Sequence, residues 1–527
     1  MVDMAADHDT GLKTGLDKLE PSNFNSIVGL SDEERLAQLG HTQELNRGFS
    51  VLALGSLVLC LMATWEALST VISSALVSGG PPCLFYNYIL SFICTLCIAL
   101  SLAEIASIYP TAGGQYHWVA AMSPPKSREA ASWATGWISV SGQIVLTASA
   151  GFAAGLQFQS LIVITDESYD RPRWQGMLFF WAVLVYAAVI NTLGIKLLPS
   201  VNLAAGVLHI TALVGIMITL GVMSDKNSTA FVFTEVVNSS GWSSDGVSWL
   251  IGLQSAVYPM LGYDAACHLA EEMPNASRNV PLAMLGGVSI NAILGLGYTI
   301  MLLYSTSPLS SLLETPTGFP FMQIFLDVTH SKVGTILMSL VPCIIATIGS
   351  IAGLASTSRT LWAFARDDGL PFSAYFSHVH PKLHVPVRAI AIVSILQLLL
   401  GLLYLGNVTA FNAVLSMAII GSYLAYCLPI FYMAFFGRPK LDKSHYGPFA
   451  LPKALGLAVN IVSMIWIVVV VIFSMFPLAL PVTAANMNYS SVVLVGWGIF
   501  GAIYYFWDGK RRFRAPYQDV WLVAHPM

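Results

Sequence analysis

The chain has 527 residues, of which 56% are hydrophobic and only 10% carry a charged side chain, and its net charge is −4. Soluble domains carry about 25% charged residues, so this composition excludes an ordinary soluble protein and indicates a polytopic membrane protein. The charge balance gives no indication of a nucleic-acid partner.

The apolar runs of the chain predict twelve membrane crossings. Residues 1–48 form an acidic tail without the apolar core of a cleavable signal peptide, and we predict that it is cytoplasmic and largely disordered. After it, runs of the roughly 20 apolar residues that cross a hydrocarbon core recur. We predict helices at 49–78, 83–108, 131–161, 175–195, 199–223, 248–270, 281–305, 333–358, 386–406, 409–436, 456–477 and 489–507. Residues 508–527 follow as a C-terminal tail.

The distribution of basic residues predicts the orientation of the chain. With the N-terminus in the cytoplasm, all but four of the 24 lysines and arginines fall on the cytoplasmic side, and the exceptions are Arg171, Arg173, Lys226 and Lys332. Cytoplasmic loops carry an excess of lysine and arginine. We therefore predict that both termini are cytoplasmic.

Glycosylation sequons give a second test of this topology. Those at Asn227, Asn238, Asn407 and Asn488 fall in loops predicted to lie outside, where a glycan can be attached, whereas the one at Asn275 falls inside. Four of the five therefore agree with the predicted orientation.

The sixth predicted span contains Pro259, Gly262 and Asp264 within one short interval. Proline lacks an amide hydrogen and clashes with the carbonyl four residues earlier, and glycine readily leaves helical angles. An unwound segment inside a membrane survives where it lines a cavity, contacts a ligand or is satisfied by neighbouring helices. We therefore predict a break in this span, caused either by a binding site or by a simple proline kink.

Glu66 and Asp264 are the two carboxylates that lie within predicted spans and away from their ends, and no lysine or arginine does so. Asp at the centre of a membrane helix costs about 2.5–3.5 kcal/mol, so each acid needs a reason. In chains built from two inverted five-helix repeats, the first and sixth spans are counterparts and meet at the midplane. Glu66 is then either a protonated acid hydrogen-bonded between helices, or a ligand partner or proton carrier. The two acids lie in opposite halves of the membrane and need not touch.

Three stretches resemble one known family. They are GGPP at 79–82, SLAEIASIYPTAGGQYHWVA at 101–120 and GYDAACHLAEEMPNASRNVPLAM at 262–284. They resemble the fungal amino acid/choline transporter family of the amino acid-polyamine-organocation superfamily, and the chain looks closest to its GABA and choline permeases. The resemblance covers about residues 45–510.

The resemblance implies an all-α integral membrane protein with twelve transmembrane helices. The first ten form two inverted five-helix repeats, at about 49–223 and 248–436, and two additional helices follow at about 456–507. Substrate is expected at unwound parts of the first and sixth helices. The residues implied are Ala63, Thr64, Trp65, Glu66 and Ala67 in the first helix and Tyr258, Pro259, Gly262, Tyr263 and Asp264 in the sixth. Many relatives have a glycine-rich motif at the first break, where this chain has TWEA.

The residue types around these breaks favour a cationic ligand. A carboxylate at Glu66 beside Trp65 and Tyr258 suits an ammonium or quaternary ammonium group, because aromatic faces attract cations. His209 lies midway along the fifth span, where some relatives have a coupling group. We expect it to be either a satisfied core residue or, with Glu66, a proton-coupling residue.

The turn between the second and third spans predicts an inner gate. Gly113 and Gly114 permit a sharp turn where the second span meets the cytoplasm. Further charged residues predicted at the same face are Glu104, Glu271, Glu272 and Arg278. We expect an acid there to pair with a base while the gate is closed. Solvated charges at helix ends are the alternative.

The sequence as a whole predicts a secondary transporter. We expect a proton-coupled permease of the plasma membrane that moves small amines or amino acids such as GABA or choline by alternating access. Alternatives are a transporter or exporter of an amine-containing secondary metabolite or its precursor, and a nutrient sensor that does not transport.

No enzyme activity, cofactor or metal is expected from the sequence. Phosphate loops, paired catalytic carboxylates and nucleophile triads are absent from it. The histidines at 378, 380 and 384 lie in a polar loop interrupted by Pro381, and no Cys or acidic residue lies among them to complete a metal site.

Overall fold

A computed structural model describes residues 31–39, 41, 43–406, 410–441, 445–484 and 486–516. Every regular element in these ranges is a helix, which confirms the predicted all-α class. Ten of the helical segments are long and apolar enough to cross a membrane: Val51–Ile108, Arg128–Thr165, Arg173–Leu193, Leu198–Met223, Ala276–Tyr304, Lys332–Arg366, Val387–Gly406, Asn412–Lys440, Lys453–Phe473 and Ser490–Arg512.

The segment Val51–Ile108 supplies the first and second spans. Its 58 residues are far more than one crossing needs. The segment turns at Gly80, whose φ of 74° lies outside the helical range, directly before Pro81 and Pro82. Glycine reaches positive φ without steric cost, and proline has no amide hydrogen to continue the helix. The Gly-Pro-Pro sequence therefore fixes the point at which the chain turns back.

The sixth span is divided into short pieces, so it is not among the ten long segments. Its α-helices are Asp245–Ile251, Gln254–Val257 and Ala265–His268, and its 3-10 helices are Tyr258–Met260 and Ala270–Glu272. Residues 261–264 lie outside any helix, and Gly262 has a φ of 97°. The predicted break is therefore present. With this span and the two crossings of the first segment, the described chain has twelve spans.

Shorter helices connect or flank the spans. They are Asp32–Gln38, Gln115–Met122, Ile195–Leu197, Thr229–Phe233, Leu309–Leu313, Pro320–Thr329 and Ser373–Phe376. We call Gln115–Met122 the gate helix, because it follows the Gly113-Gly114 turn. We call the side of the membrane domain that holds residues 51 and 512 the terminal side.

The third span, Arg128–Thr165, lies at the centre of the bundle. It packs against the fourth, eighth and tenth spans, while the second span packs against the seventh. The third and tenth spans approach so closely that a Cβ on Gly142 would lie 2.8 Å from the carbonyl carbon of Gly421. Small residues permit such contact between helix backbones in a membrane. This contact fixes the distance between two spans that both reach the candidate site.

Several predicted boundaries differ from the observed ones, most of all at the end of the eighth span. The eighth span continues from residue 358 to Arg366, and the twelfth continues from residue 507 to Arg512. Arg359 therefore lies inside a helix and is fully buried, so the expectation that the spans hold no lysine or arginine away from their ends is wrong at this position. Its charge is tolerated because Glu272 lies 2.7 Å away.

We expect Gly142→Ala to lower the thermal stability of the detergent-solubilised protein, because the added methyl group meets backbone atoms that cannot rotate away. Overpacking of this kind costs about 1–3 kcal/mol. Gly215→Ala is the matched control, since a Cβ there meets nothing within 4 Å. The measurement is the apparent melting temperature of both variants, and an unchanged value for Gly142→Ala would contradict the close contact.

Candidate functional site

The first span is interrupted at Ala63, which adopts the left-handed conformation with φ 42° and ψ 49°. Asn291 of the seventh span bonds the backbone on both sides of this break. Its Nδ2 donates to the carbonyl of Leu59 at 3.3 Å, and its Oδ1 accepts from the amide of Thr64 at 3.4 Å. A left-handed alanine costs about 1–2 kcal/mol, and such strain persists where surrounding structure enforces it. The break therefore begins at the first of the residues implied by the resemblance.

The two broken spans contact each other at their breaks. The hydroxyl of Thr64 donates to the carbonyl of Pro259 at 2.8 Å. One residue before this proline, the hydroxyls of Tyr258 and Ser149 lie 2.8 Å apart, which joins the sixth span to the third. The breaks are thus held against each other by hydrogen bonds rather than left facing lipid.

A small cavity lies beside these breaks. It is lined by Cys60, Leu61, Met62, Ala63, Glu66, Ala67, Thr70, Leu146, Ala150, Ala153, Gln157, Tyr258, Leu261, Pro342, Ala346 and Gly349. Within this set the charged side chain is Glu66, and no lysine or arginine is included. A pocket that is mostly apolar with a few convergent polar groups is the common form of a small-molecule site.

Glu66 and His209 form a buried pair at the edge of this cavity. Glu66 Oε1 lies 2.8 Å from His209 Nδ1, and the two side chains are 2% and 0% exposed. Glu66 Oε2 and His209 Nε2 have no hydrogen-bond partner within the described chain. The ring of Trp65 lies 6.0 Å from that of His209 between centroids. The fold thus joins the two residues that the sequence singled out for proton coupling, and one carboxylate oxygen stays available.

Four of the ten residues expected to bind substrate line the cavity: Ala63, Glu66, Ala67 and Tyr258. The other six lie behind its wall, and they are Thr64, Trp65, Pro259, Gly262, Tyr263 and Asp264. All six are buried. Trp65 packs against Tyr298, with ring centroids 5.3 Å apart, so its face is turned toward another helix.

Asp264 is saturated by donors from other elements. It accepts hydrogen bonds from the hydroxyl of Tyr426 at 2.6 Å and from the side-chain amides of Gln143 at 2.6 Å and Gln115 at 2.9 Å. His268 Nε2 lies 3.5 Å from the same carboxylate. These partners belong to the tenth span, the third span, the gate helix and the sixth span. Asp264 therefore ties the sixth span to its surroundings and has no free oxygen aimed at the cavity.

Several cavity residues were missed by the sequence analysis. Thr70 lies one helical turn after Glu66 on the same helix face. This spacing could have predicted that Thr70 lines the same cavity as Glu66. Pro342, inside the eighth span, carries the same helix-breaking signal that drew attention to the sixth span. Gln157 of the cavity, and Asn291 at the break of the first span, carried no local signal, since a polar residue in a membrane helix is often a simple packing contact.

Six charged side chains on the terminal side form three buried ion pairs, which we call the gate cluster: Glu104 with Arg438, Glu271 with Arg366, and Glu272 with Arg359. The Arg359 Nε lies 2.7 Å from Glu272 Oε1. Arg366 donates two hydrogen bonds of 3.1 Å to the carboxylate of Glu271. Breaking a buried pair leaves an uncompensated charge, which costs about 3–5 kcal/mol. The cluster therefore stabilises the contacts of the second span with the tenth and of the sixth span with the eighth on this side of the domain.

The bases of the gate cluster come from the eighth and tenth spans rather than from Arg278. Arg278 is exposed, and no ion pair of the described chain includes it. The Gly113-Gly114 turn does contact the cluster region. The amide of Ala112 donates to Glu271 Oε1 at 3.1 Å, and a Cβ on Gly114, whose φ is 54°, would lie 2.8 Å from the His268 ring. The turn thus packs directly on the sixth span.

The N-terminal segment lies across this closed face. The helix Asp32–Gln38 places Arg35 against Ser277, whose hydroxyl accepts from the guanidinium at 2.8 Å. The amide of Phe49 donates to the carbonyl of Glu272 at 3.3 Å. The described residues 31–39, 41 and 43–48 belong to the tail that was expected to be largely disordered, and in the structure they form this helix and these polar contacts. Residues 1–30 lie outside the described residues.

Asp367 adds a group at the gate that changes protonation near neutral pH. It follows the eighth span and accepts a hydrogen bond of 2.7 Å from the hydroxyl of Tyr116 in the gate helix. Burial raises the pKa of Asp367 to about 7, against the opposing effect of Arg366. The contact between the gate helix and the eighth span therefore includes a carboxyl that is partly protonated at neutral pH.

Three of the predicted glycosylation sites donate their amides within the fold. The Nδ2 atom of Asn227 donates to two carbonyls, that of Asn238 to a carbonyl and to Asp245, and that of Asn488 to three acceptors. A glycan on the same nitrogen would replace one of its two hydrogens and so remove one of these donors. Asn407 lies outside the described residues.

Metal ligands are not gathered in the described part of the chain. No group of three or more His, Cys, Asp or Glu side chains there is placed to hold a metal ion. In the loop after the eighth span, His380 Nδ1 accepts hydrogen bonds from the amides of Lys382 and Leu383. This ring is therefore used to hold a turn.

Comparison with known proteins identifies the family. The family model described as amino acid permease matches residues 49–500. The choline transporter of Saccharomyces cerevisiae is 31% identical over 89% of this chain and 83% of its own length. Amino-acid permease BAT1 of Arabidopsis thaliana is 29% identical over 93% and 97%, and a putative amino acid/polyamine transporter of Macrophomina phaseolina is 32% identical over 82% and 95%. The chain belongs to the amino acid permease family, whose members are membrane transporters and not enzymes.

Proposed function

We propose that this permease is a proton-coupled secondary transporter of small amines or amino acids, of the kind represented by GABA and choline. We further propose that it resides in the plasma membrane with both termini in the cytoplasm. The observation that carries the proposal is the buried Glu66–His209 pair, which stands at the break of the first span and beside the cavity.

The cavity lining favours a cationic group on the substrate. Glu66 supplies a carboxylate oxygen without a partner, and no basic side chain lines the cavity to bind an anion. The ring of Tyr258 borders the same space, and an aromatic face attracts a cation by about 0.5–2 kcal/mol. Relatives named as a choline transporter and as a putative amino acid/polyamine transporter support the same substrate class.

The two oxygens of Glu66 allow one proton and one substrate to bind together. A protonated His209 donates from Nδ1 to Oε1, while an ammonium group on the substrate pairs with Oε2. The carboxylate then lies between two positive charges, and each charge is stabilised by an opposite charge in a medium where isolated ions are costly. Loss of the substrate removes one of these charges and changes the affinity of the pair for its proton. This linkage is the physical basis of the proposed symport.

Release to the terminal side requires the gate cluster to separate. In the structure the three ion pairs are formed. Alternating access then consists of breaking these pairs while the broken sixth span moves relative to the third and eighth spans. With the proposed orientation, the terminal side is the cytoplasm.

The proposal is tested by uptake of labelled GABA, choline and a panel of amino acids into permease-deficient yeast, at acidic and at neutral pH. We expect uptake of at least one amine that is stronger at acidic pH and is abolished by a protonophore. An absence of uptake across the panel, with the protein shown at the cell surface, would contradict the proposal. That result would favour a transporter of a specialised metabolite or a sensor that does not transport.

Glu66→Gln is expected to reduce amine uptake at least about tenfold and to remove the pH dependence of what remains, because the amide keeps the shape but carries no charge. Glu314→Gln is the control, since Glu314 is an exposed carboxylate that does not line the cavity. Initial uptake rates from pH 5 to pH 8 provide the measurement. Normal, still pH-dependent uptake by Glu66→Gln would rule out the proposed coupling role.

The gate cluster is tested by exchanging the charges of one ion pair. We expect Glu272→Gln and Arg359→Gln to lose most uptake, because each leaves a buried unpaired charge. The exchanged double variant, Glu272→Arg with Arg359→Glu, is expected to recover part of it, and this non-additivity identifies a direct pair. Arg278→Gln is the control and should transport normally. Failure of this double variant to recover uptake, at equal surface expression, would argue against a pair that opens and closes.

A further inference from the structure

The cavity has a second polar group, the side-chain amide of Gln157 in the third span. Gln157 is 1% exposed and lines the cavity. Its Nε2 donates to the hydroxyl oxygen of Thr70 at 2.8 Å, whereas its Oε1 has no hydrogen-bond partner within the described chain. An unpaired buried acceptor is unfavourable unless something else occupies the space beside it.

The orientation of this amide follows from the hydrogen bonds of Thr70. The Thr70 hydroxyl donates its one hydrogen to the carbonyl of Glu66 at 3.0 Å. It can therefore only accept from Gln157, so the NH₂ group must face Thr70. The reversed amide would place two acceptors against each other. Gln157 Oε1 is thus left as the free atom by the chemistry of its neighbours.

The cavity consequently offers two acceptor atoms that have no partner within the described chain, whereas each side-chain nitrogen and hydroxyl among its lining residues has at least one. The acceptors are Glu66 Oε2 and Gln157 Oε1. They are linked through Thr70, which lies one helical turn, or about 6 Å of rise, after Glu66. A ligand that satisfies both carries a donor at each end of a short spacer. A carboxylate at the second position would set an acceptor against Gln157 Oε1.

We propose that Gln157 determines specificity, and that it selects substrates carrying a hydroxyl or amine donor at the end opposite the ammonium group over those carrying a carboxylate. This inference rests on the proposed function, because it assumes that the ammonium group binds Glu66. The ligand class is therefore short amino alcohols and diamines, with amino acids of the same length bound more weakly. Discrimination arises because a buried polar group that loses its partner penalises the wrong ligand strongly.

The test compares three compounds of matched length: 4-aminobutan-1-ol, 4-aminobutanoate and butylamine. Each is assayed by direct uptake and by inhibition of amine uptake into yeast that expresses the wild-type chain, Gln157→Leu or Gln159→Leu. Gln159 is the control because it is equally buried but does not line the cavity. Surface expression of each variant is measured, and ratios between compounds are compared, so a general loss of folded protein does not affect the result.

We expect the wild-type chain and Gln159→Leu to favour the amino alcohol over both other compounds by about tenfold, and Gln157→Leu to lose that preference. If the wild type transports amines but does not favour the amino alcohol, or if Gln157→Leu keeps the preference, the specificity role is overturned while the proposed function stands. If the wild type transports no amine at all, the proposed function fails, and this inference fails with it.

Discussion

The constraint on which this structure depends is that backbone polar groups inside hydrocarbon must be paired. Water is absent there, and an amide or carbonyl released from a helix costs several kcal/mol if it stays unpaired. The first and sixth spans both release such groups. Asn291 accepts from the amide of Thr64 and adds a second donor to the carbonyl of Leu59, and the hydroxyl of Thr64 donates to the carbonyl of Pro259. The broken spans are stable because the seventh span and their mutual contact replace the lost helical bonds.

The buried acids differ in role according to the chemistry of their partners. The bases of the gate cluster are arginines, which stay protonated at every physiological pH. The partner of Glu66 is instead a histidine, a residue type that occurs both neutral and protonated. Asp264 is bonded mainly to hydroxyl and amide donors, which carry no charge, and this set suits a fixed contact.

The sixth span connects the cavity to the gate cluster. Tyr258 borders the cavity at one end of the broken segment, and Glu271 and Glu272 form gate pairs at the other. Between them, Asp264 bonds to Gln115 of the gate helix. A change in the position of the non-helical residues 261–264 would therefore reach both the cavity wall and the gate through direct contacts, which is the arrangement that alternating access requires.

The sequence by itself determined the membrane class, the number of spans and the break in the sixth span, because these follow from hydrophobic length and from the backbone chemistry of proline and glycine. It also singled out Glu66 and His209, because charge and imidazole inside a membrane are costly enough to need a reason. Tertiary structure alone decided that these two residues pair, that Asp264 is enclosed and that the cavity is completed by Gln157 and Pro342. Such contacts join spans far apart in sequence, and the free energy that selects them depends on packing geometry that no local pattern of residues specifies.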